Sequence, residues 1–163
     1  WTGEEARVCI DEILPLVDIF FCSEDTARVT FHKEGKLPDI MKSFAREYPI
    51  SVVASTRRVV HSPRSHSFGS LIYSSSTDTY YQEEPYENIE VMDRIGSGDA
   101  YVAGALAGLL TDWENPLRAV SLGNAASAAK NTVAGDLPCM RLPEIDAMIR
   151  EHHSSGPTAE MRR

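Results

Sequence analysis

The residues best suited to chemistry stand in one run, Asp93-Arg-Ile-Gly-Ser-Gly-Asp-Ala-Tyr-Val-Ala-Gly-Ala-Leu106. A strand pattern ends before it, the small residues Gly96, Ser97 and Gly98 turn the chain, and a helix pattern starts at about Asp99. Glycines let backbone amides come close to a ligand and adopt unusual dihedrals. The new helix aims its unpaired N–H groups and the positive end of its dipole at the same place. Together they form an anion hole of phosphate size. A carboxylate beside such a hole repels a phosphate unless it has a task. Taking a proton from an attacking hydroxyl as a phosphoryl group moves across is such a task, and it falls to Asp99. The plainer reading makes Asp99 a helix N-cap and leaves the glycines only the turn. Spacing alone leaves both open. Two other phosphate-binding patterns fail on the residues: Tyr101 stands where a dinucleotide fingerprint needs Gly or Ala, and no Gly-Lys-Ser/Thr of a P-loop is present.

The elements that must position this run read as follows. Thr2-Gly-Glu-Glu5 has capping-box spacing, and Val8, Ile10, Ile13, Leu14 and Val17 follow at roughly helical intervals. Val17-Asp-Ile-Phe-Phe-Cys22 suits a strand buried on both faces. Ser23 caps a short helix, a second helix pattern spans Leu37 to Tyr48, and Ile50-Ser-Val-Val-Ala54 is a further apolar strand. Strand, helix, strand in this order predicts parallel pairing with crossover helices. Ser70-Leu-Ile-Tyr73 and Thr79-Tyr-Tyr-Gln82 flank a turn-rich segment and predict a hairpin, and Ile89-Glu-Val91 reads as one more short strand. Asn115-Pro116 opens a helix from Leu117 to about Thr132 that is apolar or small almost all round, with Arg118 and Lys130 near its ends. Such a helix belongs sandwiched between neighbours. The stripe Ala103, Gly104, Ala107 and Gly108 predicts close packing and needs no ligand. Leu142 to His152 forms a last helix, and residues 154–163 read as a disordered tail.

A chain of 163 residues with 42% apolar and 25% charged content has room for one domain with a core, as in a soluble globular protein. Its net charge of −8 argues against nucleic acid or an anionic membrane as partner. Cys9, Cys22 and Cys139 are too scattered for a disulfide framework or a zinc site, which fits a cytoplasmic protein, and each reads as a buried small hydrophobe. The histidines His32, His61, His66, His152 and His153 lack ligand spacing and read as solvated loop positions. A start at Trp1 directly in a helix pattern reads as part of something longer.

The Asp93–Leu106 stretch resembles the C-terminal signature of the PfkB (ribokinase-like) carbohydrate kinases, Asp-Thr-x-Gly-Ala-Gly-Asp before a small-residue-rich helix. Asp93, Gly96, Gly98, Asp99, Gly104 and Leu106 match, and Ser97 is a usual substitute for Ala. The resemblance implies an α/β chain of the ribokinase-like three-layer α/β/α fold, its mostly parallel sheet carrying a β-hairpin. Residues 1–153 would be the C-terminal, nucleotide-binding half. It implies ATP with Mg²⁺ as phosphoryl donor, Asp99 as base, and amides of Gly96, Ser97 and Gly98 stabilising the transferring group. It also implies Asn124, Ala125 and Ala128 lining a nucleotide cleft, and Thr56 and Arg57 on a loop at the phosphate or ribose side.

Asp-Arg-Ile-Gly, Lys130-Asn-Thr-Val-Ala-Gly-Asp136 and Trp-x-x-Glu-Glu-Ala are similar to the 2-keto-3-deoxygluconate kinase subgroup. Its substrate is an anionic sugar acid, which gives Arg94 a motive near the substrate; the plainer reading of Arg94 is a surface or interdomain salt bridge. Asp136 would approach the same substrate, or would simply follow the Gly135 turn. Where many members carry Asn-x-x-Glu for Mg²⁺ handling, Ser23-Glu-Asp-Thr26 stands here, leaving Glu24 or Asp25 as substitutes and the metal ligands open. Family members are about twice this length, and nothing here resembles their sugar-clamping half. The resemblance therefore implies a homo-oligomer when full length and a very poor kinase as an isolated piece. The alternative is a non-catalytic nucleotide-binding or regulatory protein that kept the fold.

Overall fold

The computed structural model describes residues 2–154. The expected tail lies outside them, except for Ser154 at the end of the last helix. The chain divides into two compact units: the residues up to Arg57 with Ser70–Gln82, and Arg58–Gly69 with the residues from Glu83.

In the first unit, helix α1 (Gly3–Ile13) begins in the expected capping box, with the Glu5 amide on Thr2 Oγ1 at 3.2 Å and the Thr2 amide on Glu5 Oε2 at 2.7 Å. A 3₁₀ turn (Leu14–Leu16) leads to strand β1 (Ile19–Phe21), then α2 (Glu24–Val29) and α3 (Leu37–Glu47). Strand β2 (Val52–Ser62) lies parallel to β1, with Ile19, Phe20 and Phe21 opposite Val52, Val53 and Ala54. This is the crossover that the strand–helix–strand order predicts. The next strands are β3 (Ser65–Ser74) and β4 (Thr79–Gln82), in the path β1-β2-β3-β4. The predicted hairpin is present, with Leu71 opposite Gln82 and Ser74 opposite Thr79.

Two expectations change. β1 is only half-buried along its length, because it ends the strand path and among the described residues pairs only with β2. β2 continues well past Ala54, so Thr56 and Arg57 are strand residues and not a loop; hydrogen bonding to the neighbouring strand outweighs the polar side chains that suggested a stop. The core of this unit gathers Leu14, Ile40, Met41, Phe44, Ile50 and Val53, with Phe31 and Tyr73. Phe44 is its hub, edge-on to Phe20 at 5.1 Å and Phe31 at 5.0 Å, and only 1% exposed. Phe44→Ala should cost about 3–5 kcal/mol through lost burial and the cavity left behind. Urea unfolding of the variant checks this, and a change below about 1 kcal/mol would refute the hub role.

In the second unit, strand β5 (Tyr86–Glu90) pairs antiparallel with β3, with His66 opposite Ile89 and Phe68 opposite Tyr86. Helices α4 (Ser97–Thr111), α5 (Leu117–Asn131) and α6 (Leu142–Ser154) follow. The small residues of α4 serve packing, as predicted: a Cβ on Gly104 would lie 2.5 Å from the Leu122 carbonyl oxygen, so the two helix backbones are nearly in contact. α5 is buried along most of its length and joins Leu122, Ala125 and Ala129 to Ile145 and Ile149 of α6. The ladders are thus mixed, with β1–β2 parallel and both β3–β4 and β3–β5 antiparallel.

The small-residue reading of the cysteines holds for Cys22, whereas Cys9 and Cys139 are exposed. Cys9 falls on the outer face of α1, a helix that buries none of its residues fully. The histidines correct further. His66 is a buried strand residue, 5% exposed, in the stretch of β3 from His66 to Ser70 that is buried at every position. His152 and His153 belong to α6, where the His152 ring stacks on Tyr86 at 4.0 Å. Among the described residues no helix is long and apolar enough to cross a membrane.

Candidate active site

The candidate site is built where β5 hands over to α4, wholly within the second unit. Val91 donates to the Arg64 carbonyl, and the amides of Met92 and Asp93 share the Asn131 carbonyl at 2.8 and 3.2 Å. The outgoing chain is therefore fastened to the end of α5. Asp93 then folds the turn around its own carboxylate: Oδ1 accepts from the Ile95 amide at 3.0 Å and Oδ2 from the Gly135 amide at 3.1 Å. Those two amides, with a smaller contribution from Lys130, hold the Asp93 carboxyl below its usual range. An ionised Asp93 is what keeps the two loops together.

Gly96 closes the turn with φ of 78°, in the left-handed region. It is the N-cap of α4, with no side chain capping the helix. Here glycine is required twice over. The dihedral disfavours a side chain, and a Cβ would overlap the Asp136 carbonyl oxygen and sit 2.8 Å from its carbon. The structure thus brings Asp93 and Gly96 against Gly135 and Asp136, some 40 positions further along the chain.

Helix α4 starts at Ser97, two residues before the expected Asp99, because left-handed Gly96 reverses the chain in a single step. This redistributes the amides. The Ser97 N–H donates to the Arg94 carbonyl at 3.1 Å, so it is spent on the turn and not offered outward. The amides of Gly98 and Asp99, in the first turn of α4, have no acceptor among the described residues, as befits a helix start. Nothing lies within 4 Å of where a Gly98 Cβ would be, so the approach to that turn is open. The Asp99 side chain is exposed and makes no hydrogen bond or ion pair among the described residues. In particular it does not cap its own helix. The carboxylate and the free amides share one helical turn, in the arrangement a base beside an anion hole needs.

Arg94 is exposed and likewise has no carboxylate partner among the described residues. With Asp93, Met92, Arg64 and Thr132 it lines a cleft of roughly 490 Å³. Burial first, then the positive charges of Arg58 and Arg94, lower the pKa of His66, keeping that ring neutral beside the arginines.

The remaining candidates divide. Asp136 is exposed in the loop after α5, with its backbone against Gly96. Asn124 and Ala128 are enclosed by the chain's own atoms, 0% and 3% exposed, and Asn124 Nδ2 donates to Glu83 at 3.2 Å. Here they pack and present no open face. Thr56 and Arg57 belong to the first unit, half-buried and exposed respectively. Ser23 caps α2 through the Thr26 amide, and Glu24 is occupied by Arg28 at 2.6 Å. No group of three or more His, Cys, Asp or Glu that could hold a metal occurs among the described residues.

Sequence reasoning missed Lys130, completely buried near the end of α5, and Glu83, which collects Ser121, Asn124 and His153. Lys130 left a signal: a cation near the end of a helix that is small or apolar almost all round. Glu83 left none.

Residues 1–142 match the description of the "pfkB family carbohydrate kinase". The chain belongs to the pfkB family of carbohydrate kinases. It is 28% identical over 150 residues to a 2-dehydro-3-deoxygalactonokinase of Haloferax volcanii, a match covering 92% of this chain and 43% of that protein. Among solved structures, a PfkB family carbohydrate kinase of Listeria grayi superposes with a TM-score of 0.84 at 27% identity, over 92% of this chain and 46% of that one. The 2-dehydro-3-deoxygluconokinase of Thermotoga maritima shares the fold with a TM-score of 0.85 at 22% identity, over 92% and 46%. The ribokinase-like fold is thereby established, and this chain spans less than half the length of these relatives.

Proposed function

We propose that this chain is the phosphate-handling, base-bearing portion of an ATP-dependent kinase that phosphorylates a hydroxyl of a sugar acid, 2-keto-3-deoxygluconate or a close keto-deoxy relative. The observation that carries the reading is the unpartnered Asp99 carboxylate on the same helical turn as the free Gly98 and Asp99 amides. In this mechanism those amides and the α4 dipole hold the phosphate being transferred. Asp99 accepts the proton of the attacking sugar hydroxyl as the new P–O bond forms and the bond to the nucleoside diphosphate breaks. Bound Mg²⁺ would supply charge neutralisation on the phosphates; of the family-position candidates for handling it, Glu24 is paired with Arg28 and Asp25 remains. The family resemblance also puts Asn124, Ala128, Thr56 and Arg57 near the nucleotide, and Asn124 and Ala128 would need α5 to expose them.

The sugar-acid class follows from Arg94. An exposed guanidinium without a carboxylate partner, placed just before the anion-binding turn, suits the carboxylate of such a substrate, and Asp136 would add a polar contact beside it. A substrate panel on the full-length protein tests this, with ATP and Mg²⁺ and equal concentrations of keto-deoxy sugar acids and neutral hexoses. The keto-deoxy acids should be preferred in kcat/KM by about 10²-fold or more, as loss of a charge-assisted contact predicts. Equal or better turnover of fructose or ribose would overturn the sugar-acid assignment.

A further inference from the structure

Lys130 is the one lysine among the fully buried side chains of the described residues, at 0% exposure. Its ammonium meets no carboxylate there. It donates instead to two backbone carbonyls, Val133 at 3.0 Å and Asp93 at 3.2 Å. Burying an ammonium without a paired anion costs stability, and a hydrophobic side chain of similar length would serve packing at least as well. The charge is tolerated because Lys130 sits in the last turn of α5, at the negative end of the helix dipole, and feels the Asp93 carboxylate nearby.

What the ammonium accomplishes is geometric. One carbonyl belongs to the turn that ends in Gly96, and the other to the loop that carries Gly135 and Asp136. One further hydrogen bond joins those segments, Gly135 amide to Asp93 Oδ2, and beside it the Met92 and Asp93 amides hold the Asn131 carbonyl at the end of α5. Lys130 therefore closes a clasp, with Asp93 held on its carbonyl by the ammonium and on its carboxylate by Gly135. Gly96 then rests against Asp136, and α4 starts from there.

We propose that Lys130 is a positioning residue of the phosphoryl-transfer site. It pins the Asp93 turn to the 132–136 loop and so fixes where the Gly98 and Asp99 amides and the Asp99 carboxylate stand. This rests on the function proposed above. The test uses Lys130→Met, which keeps the length and removes the charge, with Lys130→Gln as a second variant that keeps N–H donors. Amide hydrogen exchange and thermal unfolding are measured on the chain, and kinase activity on the full-length protein.

In Lys130→Met, protection of residues 92–98 and 131–136 should fall about tenfold or more, while that of α6 stays unchanged. The kcat should drop about tenfold or more with KM for ATP within about threefold, the signature of lost alignment and not lost binding. The thermal midpoint should hold or rise, since a buried charge has gone. Lys130→Gln should lie between the two proteins. Unchanged loop protection in Lys130→Met would overturn the proposal, whatever the activity. So would loss of protection spread equally over α6 in both variants, since Lys130 would then be a packing residue only. If the wild type phosphorylates no sugar at all, the kinase reading falls by itself, and the exchange measurement still decides whether the clasp exists.

Discussion

An Asp99→Asn variant of the full-length protein should lose about 10²–10⁴-fold in kcat, the usual worth of a positioned general base, while ATP affinity stays within about threefold. The substitution discriminates sharply because of what it preserves. Asn is as good a helix N-cap as Asp, and it has almost the same shape. Were Asp99 present only to begin α4, the variant would turn over normally. The structure already leans against the capping role, since the carboxylate makes no hydrogen bond to its own helix. The amide of Asn cannot take the sugar proton, so the chemical step should slow while nucleotide binding, resting on backbone amides, persists. Each tenfold loss corresponds to about 1.4 kcal/mol of barrier. Steady-state kinetics with a separate ATP titration measure both quantities. Retained kcat would remove the base from Asp99. ATP binding with no turnover in the wild type itself would favour the non-catalytic alternative.

Gly96→Ala should be the most damaging small substitution in the turn. The left-handed dihedral costs a non-glycine residue about 1–2 kcal/mol. The added methyl would also collide with the Asp136 backbone, which has no flexible side-chain end to yield. The 132–136 loop must move away, and with it the Gly135 amide that holds Asp93. A shift of about 1 Å at the start of α4 is enough to cost about 10²-fold in rate, so kcat/KM should fall by at least that much, accompanied by a lower unfolding midpoint. Gly98→Ala is the control. Open space surrounds that position, so the fold should accept the methyl with its unfolding midpoint unchanged. If Gly98→Ala nonetheless impairs turnover, the methyl is obstructing a bound phosphate and not the protein. Full activity in Gly96→Ala would mean that contact with Asp136 has no bearing on the site.

The two predictions draw on different levels of the molecule. That a tight glycine turn leads into a helix carrying Asp99 is visible in Gly96-Ser97-Gly98-Asp99, because turn and capping preferences act over a few residues. The capping box at Thr2, the hairpin around Ser74 and the buried α5 were legible for the same reason: local propensity and hydrophobic periodicity agree there with the final structure. Boundaries were less so. β2 runs through Thr56 and Arg57 since a strand extends as far as its neighbour offers hydrogen bonds, and the neighbour lies elsewhere in the sequence.

The amino-acid sequence by itself determined the local pieces: a tight glycine turn entering a helix, a carboxylate at the start of that helix, and small-residue helices to carry both. Only the tertiary structure decided that Gly96 must clear Asp136, that the Gly135 amide holds the Asp93 carboxylate, and that Lys130 is buried against Asp93. Each of these depends on a partner whose place is fixed by packing, and several join residues about 40 positions apart. Side-chain type and short-range spacing carry no record of such pairings; the folded backbone does.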